Sequence, residues 1–319
     1  MLEFGVVGLG RMGGGLALQA MEKGVRVAGR DVHDPSKELL DAGLAYEPTL
    51  AGLAAQLKGP RVIFLYVHAG KTVDEVVAEL VPHLEPGDVI ADGGNSYWGD
   101  SIRRNKELLA QGIHFIDLGT SGGLTGARNG ACFMMGGAPE AKALVEPILK
   151  LLCVEGGYVD AGKPGAGHFT KLVHNGIEFG MLQAIGEGID LLEHFHEELP
   201  IADVIGCWRN GSVIRSWLVD LMHEAYTNHG NLDVVPGYIE DTGEVNWLVA
   251  DAMRMEVPTP VITQSVIQLF TSRDDRKDWA RAVAAMRRGF GGHPYGPDAD
   301  LQKERQTSRL GDIFRPENP

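Results

Sequence analysis

From Leu2 to about Val159 the chain alternates short apolar runs with longer amphipathic stretches. The runs at residues 3–8, 25–31, 62–66, 89–92 and 114–118 are nearly continuous in apolar side chains, as strands buried on both faces of a parallel sheet are. Helix-length segments, such as residues 13–23 and 72–83, separate them. This rhythm predicts α/β architecture with a parallel sheet in the amino-terminal half. After the glycine-rich stretch 162–167 the strand signals stop and helical patterns take over, as in 171–196, 208–216 and 245–254. The pattern predicts an all-α carboxyl-terminal domain, with the first domain over residues 1–163 and the second over 164–293. Residues 294–319 hold little apolar material, and form a polar tail expected to order only against a partner subunit.

Composition narrows the picture. A chain of 319 residues has room for about two domains. With 44% hydrophobic and 23% charged residues it is neither largely disordered nor fibrous. A net charge of −14 disfavours nucleic acid or an anionic membrane as a general partner, while a small anion in a local basic pocket stays compatible. Cys132, Cys153 and Cys207 are odd in number and form no C-x-x-C, so neither a disulfide framework nor a zinc site is signalled. No secretory leader pattern is seen at the amino terminus, and no apolar run approaches about 18 residues. A cytoplasmic protein without a membrane span is expected.

Gly8-Leu9-Gly10-Arg11-Met12-Gly13 is a G-x-G-x-x-G placed between the first strand and the first helix. Glycines there allow a tight turn and close approach of the backbone to a pyrophosphate at the positive end of the helix. The first domain is therefore read as a dinucleotide-binding domain of Rossmann type, with Gly8, Gly10, Arg11, Met12 and Gly13 at the cofactor. Asp31 ends the second strand 18 residues past Gly13, where a carboxylate accepts hydrogen bonds from the adenosine ribose hydroxyls and repels a 2′-phosphate. NAD is thus favoured; Arg30 and His33 keep NADP open as the alternative cofactor.

In the segment from Gly165 to Phe179, Lys171, His174, Asn175 and Glu178 fall at i, i+3, i+4 and i+7, on one helical face. Their neighbours Leu172, Val173, Ile177, Phe179 and Leu182 have the character of core, so the polar stripe is expected to line a cavity. A lysine among apolar groups can act as a general base near neutral pH, and a glutamate in such a pocket as an acid. A solvated face with a weak Lys171–Glu178 ion pair is the competing reading. His194 and His196, two residues apart, lie on different faces of a helix, and no metal site is expected.

Several motifs in order resemble those of the 6-phosphogluconate dehydrogenase family in its short form, over nearly the whole chain to about Tyr295. They are the glycine fingerprint, Asp92-Gly93-Gly94-Asn95-Ser96, Ser121-Gly122-Gly123 with Gly126-Ala127-Arg128, the run from Gly165 to Phe179, the stretch 208–216 and the segment 287–293. The resemblance implies a decarboxylating oxidoreductase with Lys171 as base and later acid, and Glu178 as the proton donor after carbon dioxide leaves. It implies that Asn95, Ser121, Gly122, Gly123, His174 and Asn175 hold a small anionic sugar acid. Met12, Val67, His68, Ala69 and Asn95 would lie near the cofactor. Arg287 and His293 would reach the substrate's phosphate from a second subunit, giving a homodimer or homotetramer with shared active sites.

The chain departs from the family pattern in places. Phe179 stands where a tyrosine is usual, acidic residues surround the segment 240–247 where cations are usual, and His68 replaces a lysine of the long forms. These departures put a phosphate terminus of the substrate in question and make a gluconate-like acid with another terminus an alternative. A β-hydroxyacid dehydrogenase that does not decarboxylate is a further alternative, and a catalytically silent nucleotide-binding scaffold the last.

Overall fold

A computed structural model describes residues 2–304; the rest of the expected polar tail, residues 305–319, lies outside the described residues. Among the described residues the strands are β1 (Glu3–Val7), β2 (Arg26–Arg30), β3 (Ala45–Tyr46), β4 (Val62–Leu65), β5 (Val89–Asp92), β6 (His114–Ser121), β7 (Ala131–Gly136) and β8 (Cys153–Gly162). They form one sheet in the order β3-β2-β1-β4-β5-β6-β7-β8. All pairs from β3 to β6 are parallel. The expectation of a wholly parallel sheet needs correction at one edge, where β7 runs antiparallel to β6 and β8 parallel to β7. The chain leaves β1 toward β2 and β3, then crosses to β4 on the other side. Such a switch point opens a crevice at the carboxyl ends of β1 and β4.

The period of two along each strand sends side chains to two separate cores. In β4, Val62 and Phe64 enter one core and Ile63 and Leu65 the other. Covering the sheet are α1 (Arg11–Glu22), α2 (Lys37–Asp41), α3 (Leu50–Ala55), α4 (Lys71–Leu80), α5 (Trp98–Leu109), α6 (Gly123–Asn129) and α7 (Pro139–Leu152). The three strands that the hydrophobic pattern missed have physical reasons for being missed. β3 is two residues long, β7 follows α6 after one glycine, and β8 is a half-exposed edge strand containing Glu155, Gly156 and Gly157.

The remainder is helical: α8 (Ala166–Glu193), α9 (Ile201–Trp208), α10 (Trp217–His229), α11 (Glu244–Arg254), α12 (Pro260–Arg273), α13 (Asp278–Gly291) and α14 (Ala299–Glu304). The expected helix over 208–216 is not formed. α9 ends at Trp208, Gly211 has φ 75°, and Ser216 caps α10 by accepting from the Val219 N–H.

The chain's own contacts divide it differently from the expected boundary at 163/164. One compact unit comprises Met1–Gly176 with Gly243–Val257, and the other the remaining helical segments. The first turns of α8 belong with the sheet because glycines let them approach it closely. A Cβ on Gly167 would lie 2.2 Å from the Asp117 carbonyl oxygen, and one on Gly119 would lie 2.6 Å from Lys171 Cβ. The second unit has a small core of its own, with Ile189, Ile205, Val219 and Tyr226 buried together. Ile177 and Leu182, expected as core, are 53% and 46% exposed. No helix among the described residues is long and apolar enough to cross a membrane.

Candidate active site

The glycine turn separates into two kinds of glycine. Gly8 has φ 95°, and a Cβ there would lie 2.3 Å from the Tyr66 carbonyl oxygen; one on Gly13 would lie 1.9 Å from that of Gly8. Packing alone therefore demands glycine at both. At Gly10 a Cβ would meet nothing within 4 Å. The chain itself does not require that missing side chain, and the open space lies at the amino end of α1, which Arg11 begins. A pyrophosphate fits this cradle by charge and by room. The Asp31 carboxylate accepts from the N–H of Leu9, inside the turn, at 2.5 Å and from that of His33 at 3.0 Å. It is fixed at the end of β2 beside the glycines. Met12 packs on one core of the sheet and Val67 on the other, while His68 is exposed and Ala69 half-buried on the turn after β4.

Asp117 starts the helix that carries the polar stripe. It is fully buried in β6, and its two carboxylate oxygens accept from the N–H of Gly165 at 2.8 Å and of His168 at 2.9 Å. Burial pushes its carboxyl above the ordinary aspartate value, against the opposing pull of His168 and the two N–H groups. The ring of His168 is 1% exposed, with Nε2 donating to the Asp92 carbonyl at 3.0 Å and Nδ1 lying 2.7 Å from the Ser101 hydroxyl.

One turn further, Lys171 is 8% and Asn175 5% exposed. Lys171 Nζ donates to Asn175 Oδ1 at 2.8 Å and lies 3.5 Å from His174 Nδ1. His174 Nδ1 lies 3.1 Å from the same Asn175 oxygen, and its Nε2 is 3.1 Å from the Ser121 hydroxyl. An acceptor oxygen facing Nδ1 places the ring proton there, so Nε2 accepts from Ser121. The structure thus brings Lys171, His174, Asn175 and Ser121 into one network, with Gly122 and Gly123 following Ser121 at the start of α6.

The loop after β5 is shaped by Asp92, which accepts from the Gly94 N–H at 3.1 Å and the Ser96 hydroxyl at 2.7 Å. Arg104, 1% exposed, approaches the same carboxylate to 3.8 Å and donates to Asp74 at 2.8 Å and to the Gly70 carbonyl at 3.0 Å. This places a single buried side chain between the loop holding Asn95 and the turn holding Val67 to Ala69. Asn95, Ser96, His168, Lys171 and Asn175 line an open pocket, with Glu244 and Trp247 of α11 on another side.

Glu178 is half-buried on α8, seven residues past Lys171 and in the second unit. Arg287 is exposed on α13, and His293 beyond it is half-buried with its ring 6.1 Å from that of Phe290. Sequence reasoning did not single out Asp92, Asp117, His168 or Trp247, and it counted Glu244 only among acidic surroundings. Asp92 ends the apolar strand β5 and Asp117 interrupts the apolar run of β6, which is the signal that marks them.

The fold and this pocket define an oxidoreductase with an NAD(P)-binding Rossmann domain and a helical carboxyl-terminal region. The family model for the NAD binding domain of 6-phosphogluconate dehydrogenase matches residues 3–156, and that for the 6-phosphogluconate dehydrogenase C-terminal domain matches residues 167–289. The chain belongs to the 6-phosphogluconate dehydrogenase family. It is 41% identical to YqeC of Bacillus subtilis, over 92% of this chain and 98% of that one. It is 37% identical to the NAD(+)-dependent, decarboxylating 6-phosphogluconate dehydrogenase of Haloferax volcanii, over 92% of this chain and 98% of that one. Among solved structures, the 6-phosphogluconate dehydrogenase of Plasmodium falciparum, determined apo, with NADP+ and with 6-phosphogluconate, matches with a TM-score of 0.77. That match has 26% identity and covers 94% of this chain and 68% of that one. A 3-hydroxyisobutyrate dehydrogenase of Salmonella typhimurium shares the fold at 20% identity and a TM-score of 0.70, over 85% of this chain and 94% of that one.

Proposed function

We propose that the protein oxidatively decarboxylates 6-phosphogluconate to ribulose 5-phosphate and carbon dioxide with NAD as preferred cofactor. The observation that carries this reading is the nine-tenths buried Lys171, its Nζ held at 2.8 Å by Asn175 Oδ1 in a pocket with Asn95 and Ser96. Burial disfavours the charged form of a lysine, and the neutral amine is the form a general base needs.

Gly8, Gly10, Arg11, Met12, Gly13, Asp31 and the turn Val67 to Ala69 would hold the dinucleotide, with Asp31 toward the ribose hydroxyls. The bound nicotinamide supplies a hydride acceptor for C3 of the substrate. Lys171 takes the C3 hydroxyl proton as the carbon is oxidised, giving a 3-keto acid. The C1–C2 bond then breaks, its electrons moving toward the C3 oxygen, and Lys171 returns its proton to that oxygen. Carbon dioxide leaves and an enediol remains. Glu178 protonates the carbon that becomes C1 of the five-carbon product. Asn175 and His174 keep the lysine aimed through the network that ends at Ser121. Arg287 and His293, from a second copy in a homodimer or homotetramer, would meet the phosphate.

A second reading keeps the proton chemistry and changes the far end of the substrate to another terminus on a gluconate-like acid. It is favoured by the carboxylate of Glu244 in the pocket lining and by Phe179 in place of a tyrosine. The acids at 240 and 241 weigh less in this reading, because Arg273 pairs with Asp241 and lies 3.9 Å from Glu240.

The test is to measure carbon dioxide released per NADH formed, with 6-phosphogluconate and with gluconate, using NAD and NADP in turn. One carbon dioxide per NADH, with 6-phosphogluconate the better substrate and NAD the better cofactor, is expected. NADH formed without carbon dioxide would refute decarboxylation.

A further inference from the structure

The parallel neighbours β4 and β5 each lead into a turn that carries residues of the proposed site, one turn for each ligand. The turn after β4 holds Val67 to Ala69, proposed for the cofactor, and the loop after β5 holds Asn95, proposed for the substrate. The two touch where they leave the sheet. The Gly93 N–H donates to the Leu65 carbonyl at 2.9 Å, a Cβ on Gly93 would lie 2.5 Å from Tyr66 Cζ, and one on Gly94 would lie 3.0 Å from the Val67 carbonyl oxygen. A second tie runs through Arg104 of α5, which is 1% exposed. Its Nε donates to Asp74 at 2.8 Å and its Nη2 to the Gly70 carbonyl at 3.0 Å, both at the start of α4, which follows the cofactor turn. Its Nη1 lies 3.8 Å from Oδ2 of Asp92, about one ångström beyond a hydrogen bond, and makes no hydrogen bond among the described residues. Asp92 in turn shapes the substrate loop through Gly94 and Ser96.

We infer that Arg104 is a positioning residue that couples the cofactor turn to the substrate loop, so that dinucleotide and sugar acid each strengthen the binding of the other. An arginine fork is planar and rigid, so two anchored arms fix where the third one lies. The anchored arms belong to the cofactor side, and the third faces the carboxylate that shapes the substrate side. A buried donor gains when it finds its acceptor, so a ligand that draws the two turns together is helped by the bond between Arg104 and Asp92. The second ligand then meets a geometry already set, and the help is reciprocal. At 1% exposure Arg104 acts through Asp74, Gly70 and Asp92 and not by touching a ligand. The inference rests on the dinucleotide and sugar-acid reading above and adds to it the side chain that joins the two halves of the site.

The test titrates the full-length protein with NADH, followed by the cofactor's fluorescence, without and with saturating 6-phosphogluconate. The reduced cofactor cannot accept a hydride, so the complex with both ligands does not turn over. Wild type is expected to bind NADH about 10-fold more tightly with the acid present, and the acid about 10-fold more tightly with NADH present. In Arg104→Gln that factor falls below about twofold, while the affinity for NADH alone stays within about threefold of wild type. Arg104→Lys keeps the charge and loses the fork, and recovers only part of the factor. The Asp74 side chain is 42% exposed, so Asp74→Asn loosens the same tie with little effect on the fold and lowers the factor to about threefold. Asp74→Asn therefore decides the matter where Arg104→Gln does not fold. A wild type that binds both ligands with no coupling between them would overturn the inference. Variants that weaken each ligand alone and keep the wild-type factor would also overturn it, leaving Arg104 as packing only. A wild type that binds NADH and not 6-phosphogluconate would instead remove the substrate reading, and the inference with it.

Discussion

The two halves of α8 invert one another. Up to Gly176 the buried side chains include His168, Lys171 and Asn175, each with hydrogen-bond partners. Beyond it Ile177, Met181, Leu182 and Leu191 are exposed. Hydropathy does not explain the contrast, since apolar residues are frequent in both halves. The difference is what packs on each. In the first half, Gly119 and Gly167 let the helix meet the sheet so closely that polar groups are enclosed and must be bonded. In the second half the same helix presents an apolar face of the kind that partner subunits cover. A buried polar stripe therefore marks the proposed chemistry, and an exposed apolar one the proposed assembly.

The sharpest way to break that contrast is to remove the polar stripe. Lys171→Ala is expected to lower kcat by about 1,000-fold or more, because in the proposed mechanism one group serves as base and then as acid and each such step typically contributes about 100- to 10,000-fold. NAD binding, followed by fluorescence titration, stays near the wild-type value. A Lys171→Ala enzyme with ordinary turnover would take the lysine out of its role. Glu178→Gln comes next, with kcat down by about 100-fold. Stopped-flow traces should show one turnover of NADH formed quickly ahead of a slow steady state, since only the last protonation is impaired. Loss of that first turnover would put Glu178 earlier in the sequence.

Much of the first region was legible in the chain itself. The continuous apolar runs located five of the strands, and the glycine fingerprint located the nucleotide turn, because both depend on local pattern. The reversal of β7 and β8 was not legible, since short or half-exposed edge strands carry little periodicity. The stripe Lys171, His174, Asn175 and Glu178 could be read from spacing. Its partners could not, because Ser121 and Glu244 reach it only through the tertiary fold. Ile177 and Leu182 misled for the opposite reason: an apolar residue at helical spacing looks the same whether its own chain or another copy covers it.

The exposed half offers the third test. Ile177→Asp together with Leu182→Asp is expected to shift the protein toward monomer by sedimentation velocity, while the isolated chain loses little stability, since exposed substitutions usually stay within about 0.5 kcal/mol. If Arg287 and His293 complete the site of a neighbouring copy, the monomer should show a KM for 6-phosphogluconate raised by about 10-fold with NAD binding unchanged. An unaltered subunit number would mean that this face is not the one that is covered.

The smallest expected effect on turnover belongs to Asp117, which acts on the first half of α8 from below. An asparagine has one oxygen for the two N–H groups of Gly165 and His168 and turns an N–H toward the other. Asp117→Asn should thus destabilise the fold by about 1–3 kcal/mol, with kcat falling only a few-fold as the helix start loosens. The pH dependence has a definite sign. Because burial raises the folded-state pKa of Asp117, the folded protein keeps a proton that the unfolded chain has lost over the window between the ordinary aspartate value, about 3.9, and the raised one. The contribution of Asp117 to stability is then largest below that window and declines as pH rises through it. Urea unfolding of wild type and Asp117→Asn across that window should show the gap between them narrowing with rising pH. A gap that widens instead would mean that the two N–H bonds to the ionised carboxylate outweigh the cost of burying it.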